Sequence, residues 1–421
     1  MNVTITPTKL SGELLVPPSK SLSHRAIIAA SLASGKSIIS NVIFSNDIVA
    51  TIEAMKALGA QIVQEENKLI ITGCFPKRIQ NEIDACESGS TLRFIIPIAL
   101  LCSEEITFKG VNQLIQRPLD SYFEIFDQLN IRYEHPKDAY LPLRTRGGLE
   151  PGNYKIRGDI SSQFITGLLY ALPLLDGDSR LTITTQLESK GYIDLTLDML
   201  KRFGISIIKS GPQEYFIKGN QKYQACNYLV EGDYSQVAFF LVADALGADI
   251  KLKGMNPDSF QGDKKIIDDI KAMQGNVEFE EDYLVCHPSY TKGATIDFSQ
   301  SPDLGPALTV LASLSDGISE FVKASRLRIK ECDRITCMKE ELSKMGALIV
   351  EYADGMTITG VDYLNGSIVD SHNDHRVAMA LAMASLKTKG TITILNADAV
   401  SKSYPHFWED FQKLGGIVKY E

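Results

Sequence analysis

Clusters of basic and hydroxyl side chains recur along the chain, each just before an apolar or amphipathic segment. The first is Pro17-Pro18-Ser19-Lys20-Ser21-Leu22-Ser23-His24-Arg25, and a similar cluster is Glu87-Ser88-Gly89-Ser90-Thr91-Leu92-Arg93. Backbone N–H groups at a helix start attract anions, Lys and Arg side chains can hold a phosphate, and Gly89 would let a ligand approach the backbone. Taken alone, the first cluster is better explained as a capped helix with solvated basic residues. Only the repetition of such clusters points to a ligand.

Other helix starts carry the same residue types. They are Gln116-Arg117-Pro118, Ser161-Ser162-Gln163, Ser189-Lys190-Gly191-Tyr192, Arg328-Ile329-Lys330-Glu331-Cys332-Asp333-Arg334, Asp374-His375-Arg376, Ser401-Lys402-Ser403-Tyr404-Pro405 and the segment at Asp303. Lys330 and Arg334 are spaced one turn apart, which predicts that they share a helix face. Cations at a helix start oppose its macrodipole, so helix stability does not explain them. The inferred ligand is polyanionic.

Two partial motifs do not fit their usual sites. Gly35-Lys36-Ser37 resembles the end of a phosphate-binding P-loop, but that motif's first glycine falls at Ala30 and a strand follows, so we interpret it as a helix C-cap. His372 and His375 are spaced for one helix face and could bind zinc, but no third ligand is apparent. The sequence predicts no metal site and no cofactor.

Composition and net charge exclude several classes of protein. The 421 residues are 44% hydrophobic with a net charge of -9, which argues against a nucleic-acid or anionic-membrane surface. The segment Met1–Thr6 has no signal-peptide pattern and no apolar run reaches membrane-spanning length, so a cytoplasmic protein is expected. Seven scattered cysteines without a C-x-x-C pair make disulfides and zinc ribbons unlikely candidates.

A repeat of about seventy residues underlies these clusters. Six predicted amphipathic helices each end at a hydrophobic residue that is followed by Gly or Asn. These glycine and asparagine positions are Gly59, Asn130, Gly204, Gly275, Gly346 and Gly415. An almost wholly apolar helix, such as Phe164–Leu175, interleaves with it and is expected to be buried. Strand runs are predicted at 38–42, 61–72, 206–218 and 347–359. Six units suggest two domains of three, and the alternative is a solenoid, whose repeats are usually shorter.

Together these segments resemble the 5-enolpyruvylshikimate-3-phosphate synthases, a family of enolpyruvyl transferases. The matching motifs, in family order, are Pro18-Ser19-Lys20-Ser21-x-Ser23-x-Arg25, Gly89 with Arg93, Gln116-Arg117-Pro118, Ser161-Ser162-Gln163-Phe164, Ser189-x-x-Tyr192, Glu231-Gly232-Asp233, Gln261-Gly262-Asp263, Lys330-Glu331-x-Asp333-Arg334, Asn373-Asp374-His375-Arg376 and Lys402 before Pro405. The resemblance implies an α/β fold of two inverse α/β domains (an α/β prism), each of three βαβαββ repeats. The first domain would be discontinuous, 1–19 plus 231–421, the second would be 20–230, and the active site would lie in the interdomain cleft.

The family reaction moves the enolpyruvyl group of phosphoenolpyruvate to the 5-hydroxyl of shikimate 3-phosphate and releases phosphate, on the pathway to chorismate and aromatic amino acids. The residues that the resemblance implies for shikimate 3-phosphate are Lys20, Ser21, Arg25, Ser161, Ser162, Gln163, Ser189, Tyr192, Asp303 and Lys330. Those implied for phosphoenolpyruvate are Lys20, Gly89, Arg117, Gln163, Arg334, His375, Arg376 and Lys402. The implied catalytic residues are Asp303, Glu331 and Lys20, with Glu331 as acid and Asp303 as base. Glyphosate would occupy the phosphoenolpyruvate position, and the protein would be a monomer without nucleic-acid or membrane partners.

Three positions depart from the family pattern. Glu87 stands where many members have Asn, Ser90 where they have Thr, and Arg326 where an Asn contacts shikimate. A related alternative is the transferase that acts on UDP-N-acetylglucosamine, but the loop 109–117 lacks its reactive cysteine. A second alternative is a non-catalytic phosphoanion-binding protein of the same fold. Such a protein would have lost the catalytic acids, whereas Asp303 and Glu331 are both present in this chain.

Overall fold

The computed structural model describes residues 1–421 and divides into two compact units. Unit 1 consists of Met1–Ser19 and Glu231–Glu421, and unit 2 is Lys20–Val230. Each unit has its own hydrophobic core. None of the helices is both long enough and apolar enough to cross a membrane.

The chain begins with two strands of unit 1, β1 (Val3–Thr6) and β2 (Ser11–Leu15). The elements of unit 2 follow: α1 (Lys20–Leu32), β3 (Gly35–Ser40), α2 (Asn46–Ala57), β4 (Gln61–Glu65), β5 (Lys68–Gly73), β6 (Glu82–Asp84), α3 (Gly89–Ala99), β7 (Ile106–Lys109), α4 (Asp120–Leu129), β8 (Arg132–Glu134), β9 (Leu143–Arg146), β10 (Asn153–Ile156), α5 (Ser162–Ala171), β11 (Ser179–Ile183), α6 (Lys190–Arg202), β12 (Ile207–Gly211), β13 (Glu214–Ile217) and β14 (Tyr228–Leu229).

The chain then completes unit 1. Its remaining elements are α7 (Tyr234–Ala245), β15 (Asp249–Lys253), α8 (Ile266–Ala272), β16 (Asn276–Glu280), β17 (Tyr283–His287), β18 (Thr295–Asp297), α9 (Gly305–Ser313), β19 (Ile318–Val322), α10 (Arg334–Lys344), β20 (Leu348–Tyr352), β21 (Gly355–Thr359), β22 (Leu364–Asn365), β23 (Ile368–Asp370), α11 (His375–Ala384), β24 (Thr388–Lys389), β25 (Ile392–Leu395), α12 (Phe407–Lys413) and β26 (Ile417–Tyr420).

Six four-stranded sheets confirm the predicted six repeats. Each sheet joins a parallel pair to an antiparallel pair, and in five of the six the antiparallel pair is a hairpin, as in the order β6-β7-β9-β8. In each unit one sheet is completed by a strand from the other end of that unit's chain. Strand β14 pairs with β3 in unit 2, and β1 lies between β25 and β26 in unit 1.

The apolar helices form the centre of each unit, as predicted. These helices are α1, α3 and α5 in unit 2 and α7, α9 and α11 in unit 1, and every residue of α7, α9 and α11 is buried. The helix predicted over 164–175 ends earlier, at Ala171, and a 3-10 turn follows at Leu172–Leu174. Pro173 accounts for this end because it has no N–H to donate to the preceding turn.

Several predicted boundaries differ from those observed. The runs 61–72, 206–218 and 347–359 each form the two antiparallel strands of a hairpin, with a short turn between them. The first run begins at Gly35 and ends at Ser40, before Asn41 at φ 59°. In the fourth repeat Gln274, at φ 65°, takes the left-handed position expected of Gly275.

Candidate active site

The start of α1 contains three of the predicted residues, Lys20, Ser21 and Arg25. The Arg25 side chain is buried, and it donates from Nε to Thr196 Oγ1 at 2.9 Å, from Nη1 to the Ser21 carbonyl at 2.8 Å and from Nη2 to the Tyr192 carbonyl at 3.0 Å. Burial lowers the pKa of Arg25. The hydrogen bonds of Arg25 therefore connect α1 to the first turns of α6, which contain Tyr192.

Lys20 forms an ion pair with a residue that the sequence did not single out. Its Nζ lies 2.7 Å from Asp47 Oδ2, at the start of α2, and both side chains are largely buried. No recognisable motif surrounds Asp47, so only the structure reveals the pair. Asp47 keeps the Lys20 ammonium group at a fixed place beside the helix start.

A chain of buried hydroxyl groups connects the first three helices of unit 2. His24 Nδ1 lies 2.7 Å from Thr51 Oγ1, Thr51 Oγ1 lies 2.6 Å from Thr91 Oγ1, and Thr91 Oγ1 donates to Ser88 Oγ at 2.8 Å. Burial, and then the charges of Lys20 and Arg25, hold the pKa of His24 well below its usual value. The imidazole is thus neutral, and it links α1 through α2 to the first turn of α3.

Gly89 and Arg117 are brought together at the start of α3. A Cβ atom on Gly89 would lie 2.6 Å from Arg117 Nη1 and 2.9 Å from its Cζ. No side chain fits there unless the guanidinium group moves. The glycine therefore allows Arg117 to lie directly against the helix start, where a helix dipole also favours an anion.

Gln163, in the first turn of α5, is fixed by two neighbours. Arg93 Nη1 donates to Gln163 Oε1 at 2.9 Å, and Gln163 Nε2 donates to Ser90 Oγ at 2.9 Å. Arg93 Nη2 also donates to the Pro118 carbonyl at 3.1 Å, next to Arg117. Arg93 was noted only as part of a motif, yet it orients the Gln163 amide and holds the segment that follows Arg117.

The predicted serines lie at two further helix starts of unit 2. Ser161 is the N-cap of α5 and accepts a hydrogen bond from Gln163 N at 3.3 Å, while the adjacent Ser162 is buried. Ser189 is buried, has a φ of 53° and directly precedes α6. All three hydroxyl groups thus belong to helix N-termini, which favour an anion.

The predicted acids and cations of unit 1 converge on Asp303. Arg334 Nη1 lies 2.9 Å and Lys330 Nζ 3.1 Å from Asp303 Oδ1, and Arg376 Nη2 lies 3.1 Å from Oδ2. The prediction that Lys330 and Arg334 share a helix face is wrong, because α10 begins at Arg334 and Lys330 has extended backbone before it. The two side chains meet at Asp303 instead.

The charges around Asp303 set its ionisation. Burial alone would raise the pKa of Asp303, but Arg376, Lys330 and Arg334 hold it well below its usual value. Burial lowers the pKa of Lys330 to about 8, with Asp303 opposing and the positive charges of Arg326 and Arg334 adding to the shift. Asp303 is therefore ionised near neutral pH, and Lys330 is a cation that can lose its proton in mildly alkaline solution.

Arg334 is the most enclosed cation of the group, with a side chain 1% exposed. Its Nε donates to Asp374 Oδ2 at 2.8 Å, and its Nη2 donates to Glu331 Oε2 at 2.6 Å. Burial would lower its pKa, but Asp374, Glu331 and Asp303 raise it well above the usual value. A buried guanidinium with three carboxylates is a permanent charge in a fixed orientation.

The start of α11 supplies the remaining cations. Asp374 is its N-cap and accepts from Arg376 N at 2.8 Å, and Arg376 Nη2 donates to Ser235 Oγ at 3.1 Å. His375 is buried in the first turn of the helix. Lys402 ends the 3-10 turn Ala397–Lys402, and its Nζ donates to the Asn373 carbonyl at 2.5 Å.

The proposed common helix face of His372 and His375 is also wrong. His372 has a φ of 50° and precedes α11, and its Nε2 lies 2.7 Å from Glu341 Oε1. Two groups of side chains are nevertheless close enough to hold a metal ion, Glu278 with Glu280 and His287, and Glu340 with Glu341 and His372. In the second group both Glu341 oxygens already accept hydrogen bonds from protein donors.

Two departures from the family pattern also have defined surroundings. Ser90 accepts from Gln163, as described above, so a hydroxyl group is retained at that position. Arg326 is 8% exposed, and its positive charge contributes to the lowered pKa of Lys330.

Comparison with known proteins finds similar proteins over nearly the whole chain. The family model described as EPSP synthase (3-phosphoshikimate 1-carboxyvinyltransferase) matches residues 5–411. The chain belongs to the EPSP synthase family. Relatives named 3-phosphoshikimate 1-carboxyvinyltransferase include that of Clostridium novyi, 51% identical with 99% of this chain and 98% of the relative covered, and that of Clostridioides difficile, 49% identical with the same coverage.

Solved structures of the EPSP synthase family share the architecture. EPSP synthase from Acinetobacter baumannii is 25% identical, with a TM-score of 0.80 and full coverage of both chains. The enolpyruvyl transferase NikO from Streptomyces tendae has a TM-score of 0.82 at 17% identity, covering 100% of this chain and 98% of that chain, which shows a common fold alone.

Proposed function

We propose that this chain transfers the enolpyruvyl group of phosphoenolpyruvate to the 5-hydroxyl of shikimate 3-phosphate and releases phosphate. The observation that carries the proposal is the match over 99% of the chain, at 51% identity, to a relative named for this activity. The reaction belongs to the shikimate pathway, which leads to chorismate and the aromatic amino acids. Both substrates are anions, in keeping with helix starts that carry cations and hydroxyl groups.

We assign shikimate 3-phosphate mainly to unit 2. The serines at the starts of α5 and α6 would hold its phosphate, because helix starts with hydroxyl groups suit an oxyanion. The residues proposed for this substrate are Lys20, Ser21, Arg25, Ser161, Ser162, Gln163, Ser189, Tyr192, Asp303 and Lys330. Arg25 and Gln163 are held by neighbours in the structure, so they enter the site in a fixed orientation.

We assign the carboxylate of phosphoenolpyruvate to Arg334 and Arg376, since planar guanidinium groups bind carboxylates in a bidentate manner. Its phosphate would meet Lys20, Arg117 and Lys402. The residues proposed for this substrate are Lys20, Gly89, Arg117, Gln163, Arg334, His375, Arg376 and Lys402. The residues proposed for this substrate come from both units.

Formation of the tetrahedral intermediate needs two proton transfers, and Lys20 is proposed to assist at the phosphate that leaves afterwards. Glu331 would protonate the methylene carbon of phosphoenolpyruvate while Asp303 accepts the proton of the 5-hydroxyl, whose oxygen bonds to the adjacent carbon. The tetrahedral intermediate then loses phosphate from that carbon and a proton from the new methyl group, which restores the double bond. The products are the enolpyruvyl ether and phosphate, and no cofactor is required.

We further propose that the protein works in the cytoplasm as a monomer on these two small molecules, without nucleic-acid partners. Its net charge of -9 supports the last point, because nucleic-acid surfaces are basic.

Phosphate release tests the proposed activity. We expect phosphate only when phosphoenolpyruvate and shikimate 3-phosphate are supplied together. UDP-N-acetylglucosamine in place of shikimate 3-phosphate is the matched control, and equal turnover with it would overturn the assignment.

A further inference from the structure

The loop between β23 and α11 has a conformation that its residues do not favour. His372 has a φ of 50° and Asn373 a φ of 56°, and no other two consecutive non-glycine residues have positive φ. Asn and His are among the non-glycine residues that adopt this left-handed region most often, but each such position still costs backbone free energy, and here two occur in succession. Contacts from elsewhere in unit 1 must hold the loop in place.

A buried carboxylate on α10 contacts the loop at two places, and Asn396 holds the loop from the other side through Ser371 Oγ and Asp370 Oδ1. Glu341 is 1% exposed, and its Oε1 lies 2.7 Å from His372 Nε2. Its Oε2 accepts from the backbone N–H of Asp370 at 2.9 Å and from Lys344 Nζ at 2.7 Å. Glu341 therefore binds the loop at two positions, Asp370 and His372. Lys344, its third partner, faces solvent with a side chain 48% exposed.

The loop leads directly to cations proposed for phosphoenolpyruvate. The carbonyl of Asn373 accepts from Lys402 Nζ, and the next residue, Asp374, binds Arg334 and caps α11 ahead of Arg376. Glu341 lies about two turns beyond Arg334 on the same helix. One buried carboxylate thus fixes the distance between the helix that begins with Arg334 and the loop that places Lys402 and Arg376.

We propose that Glu341 and His372 are positioning residues for phosphoenolpyruvate: they hold the strained loop 370–373 so that Arg334, Arg376 and Lys402 present one anion site. Neither side chain is assigned a contact with substrate. The inference rests on the proposed function, because it needs those three cations to bind phosphoenolpyruvate.

The test compares steady-state constants for both substrates in six variants. We expect Glu341→Gln and His372→Ala to raise KM for phosphoenolpyruvate by about tenfold or more, because small displacements of binding groups have large effects. KM for shikimate 3-phosphate should stay within about twofold of the wild type, since the Ser161 and Ser189 helix starts are untouched. Lys344→Ala removes the solvent-facing partner of the same carboxylate and should change neither constant.

His372→Gly separates the strain of the loop from the loss of the hydrogen bond. Glycine adopts positive φ without strain, so KM for phosphoenolpyruvate should fall between those of the wild type and His372→Ala. Thermal unfolding of each variant reports any general loss of stability. A role in stability alone would lower the melting temperature and leave both KM values of the folded protein unchanged, which would overturn the proposal.

Lys402→Ala distinguishes failure of this inference from failure of the proposed function. If Lys402→Ala raises KM for phosphoenolpyruvate while His372→Ala does not, the positioning role is wrong and the site assignment stands. If Lys402→Ala and Arg376→Ala also leave that KM unchanged, the assignment of the anion site is wrong, and the positioning role is overturned with it.

Discussion

Asp303 accepts contacts from three cations, and two of them, Arg334 and Arg376, are the proposed partners of the phosphoenolpyruvate carboxylate. One carboxylate of the chain therefore contacts the same cations that are proposed for a substrate carboxylate. The same contacts make Asp303 a weak base, because they hold its pKa well below the usual value. A substrate carboxylate bound beside Arg334 and Arg376 would offset part of their positive charge and so raise the basicity of Asp303.

Asp303→Asn should separate binding from turnover. Turnover should fall by about 10²-fold or more through loss of the base, while phosphoenolpyruvate alone should bind more tightly because a neutral amide competes less for Arg334 and Arg376. Calorimetric titration without shikimate 3-phosphate measures the affinity. Asp297→Asn, which breaks an exposed pair with Lys323, is the matched control and should leave affinity unchanged. Unaltered or weaker binding in Asp303→Asn would show that Asp303 does not compete with the ligand.

Lys330 predicts a pH dependence of shikimate 3-phosphate binding. Its pKa is lowered to about 8, so the ammonium charge is present below that pH and is lost above it. KM for shikimate 3-phosphate should therefore rise as the pH passes upward through 8.

Arg326→Asn, the substitution toward the commoner family residue, removes one of the charges that lower this pKa, so the rise in KM should move to higher pH. A KM profile that is flat in the wild type, or identical in Arg326→Asn, contradicts this role of Lys330.

Gly89→Ala should act through Arg117. The added methyl group would lie 2.6 Å from Arg117 Nη1, so the guanidinium group must move. We expect weaker inhibition by glyphosate and, to a smaller degree, a higher KM for phosphoenolpyruvate. Inhibition curves at fixed shikimate 3-phosphate for Gly89→Ala, Arg117→Ala and the double variant measure both effects. If the methyl group acts by displacing Arg117, the double variant is no worse than Arg117→Ala, and additive effects would argue for a separate mechanism.

At the scale of helices and strands, the hydroxyl chain through Thr51 joins α1, α2 and α3. Thr51→Val keeps the shape but leaves His24 Nδ1 and Thr91 Oγ1 without this buried partner, which should cost about 1–3 kcal/mol of stability. Thr51→Ser retains the hydroxyl group and should cost less. Calorimetric melting of both variants is the measurement, and a valine variant as stable as the serine variant would show that the chain contributes nothing.

The sequence predicted the repeats because their signals are local. An apolar helix, an amphipathic helix and a hairpin each have a characteristic spacing of apolar residues, and glycine or asparagine marks where the amphipathic helix ends. The start of α10 was placed too early because Lys330 and Arg334 have helical spacing. The capping residue Asp333, which accepts from the N–H groups of Ile335 and Thr336, was the better signal.

The contacts that hold the site could not be predicted in the same way. Asp303 forms ion pairs with Lys330, 27 residues later in the sequence, and with Arg376, 73 residues later. Lys20 of α1 forms an ion pair with Asp47 of α2. Residue types at helix starts indicate that an anion site exists. Which acid holds which cation depends on how loops from different repeats meet, and no short segment of sequence specifies that.

At the scale of the whole molecule, each unit has a separate hydrophobic core. Unit 2 is one continuous segment, and unit 1 becomes continuous if Ser19 is joined to Glu231, since Ser19 N donates to the Glu231 carbonyl at 2.8 Å. We expect each unit to fold alone and neither to have activity, because the proposed ligand residues are divided between them. Amide NMR spectra and calorimetry of the two fragments test this. A fragment without dispersed resonances or a cooperative transition would show that its core needs the other unit.

Strand β1 lies between β25 and β26, with Val3 opposite Tyr420. During synthesis on the ribosome, at about 5–20 residues per second, roughly 20–80 s separate these two residues. Unit 2 receives its last strand, β14, long before that, so it can fold while the first strand of the nascent chain still has no partner. Folding of unit 1 must therefore wait until β26 has been synthesised, and any pause before that point prolongs the time in which β1 is open to pairing with another chain.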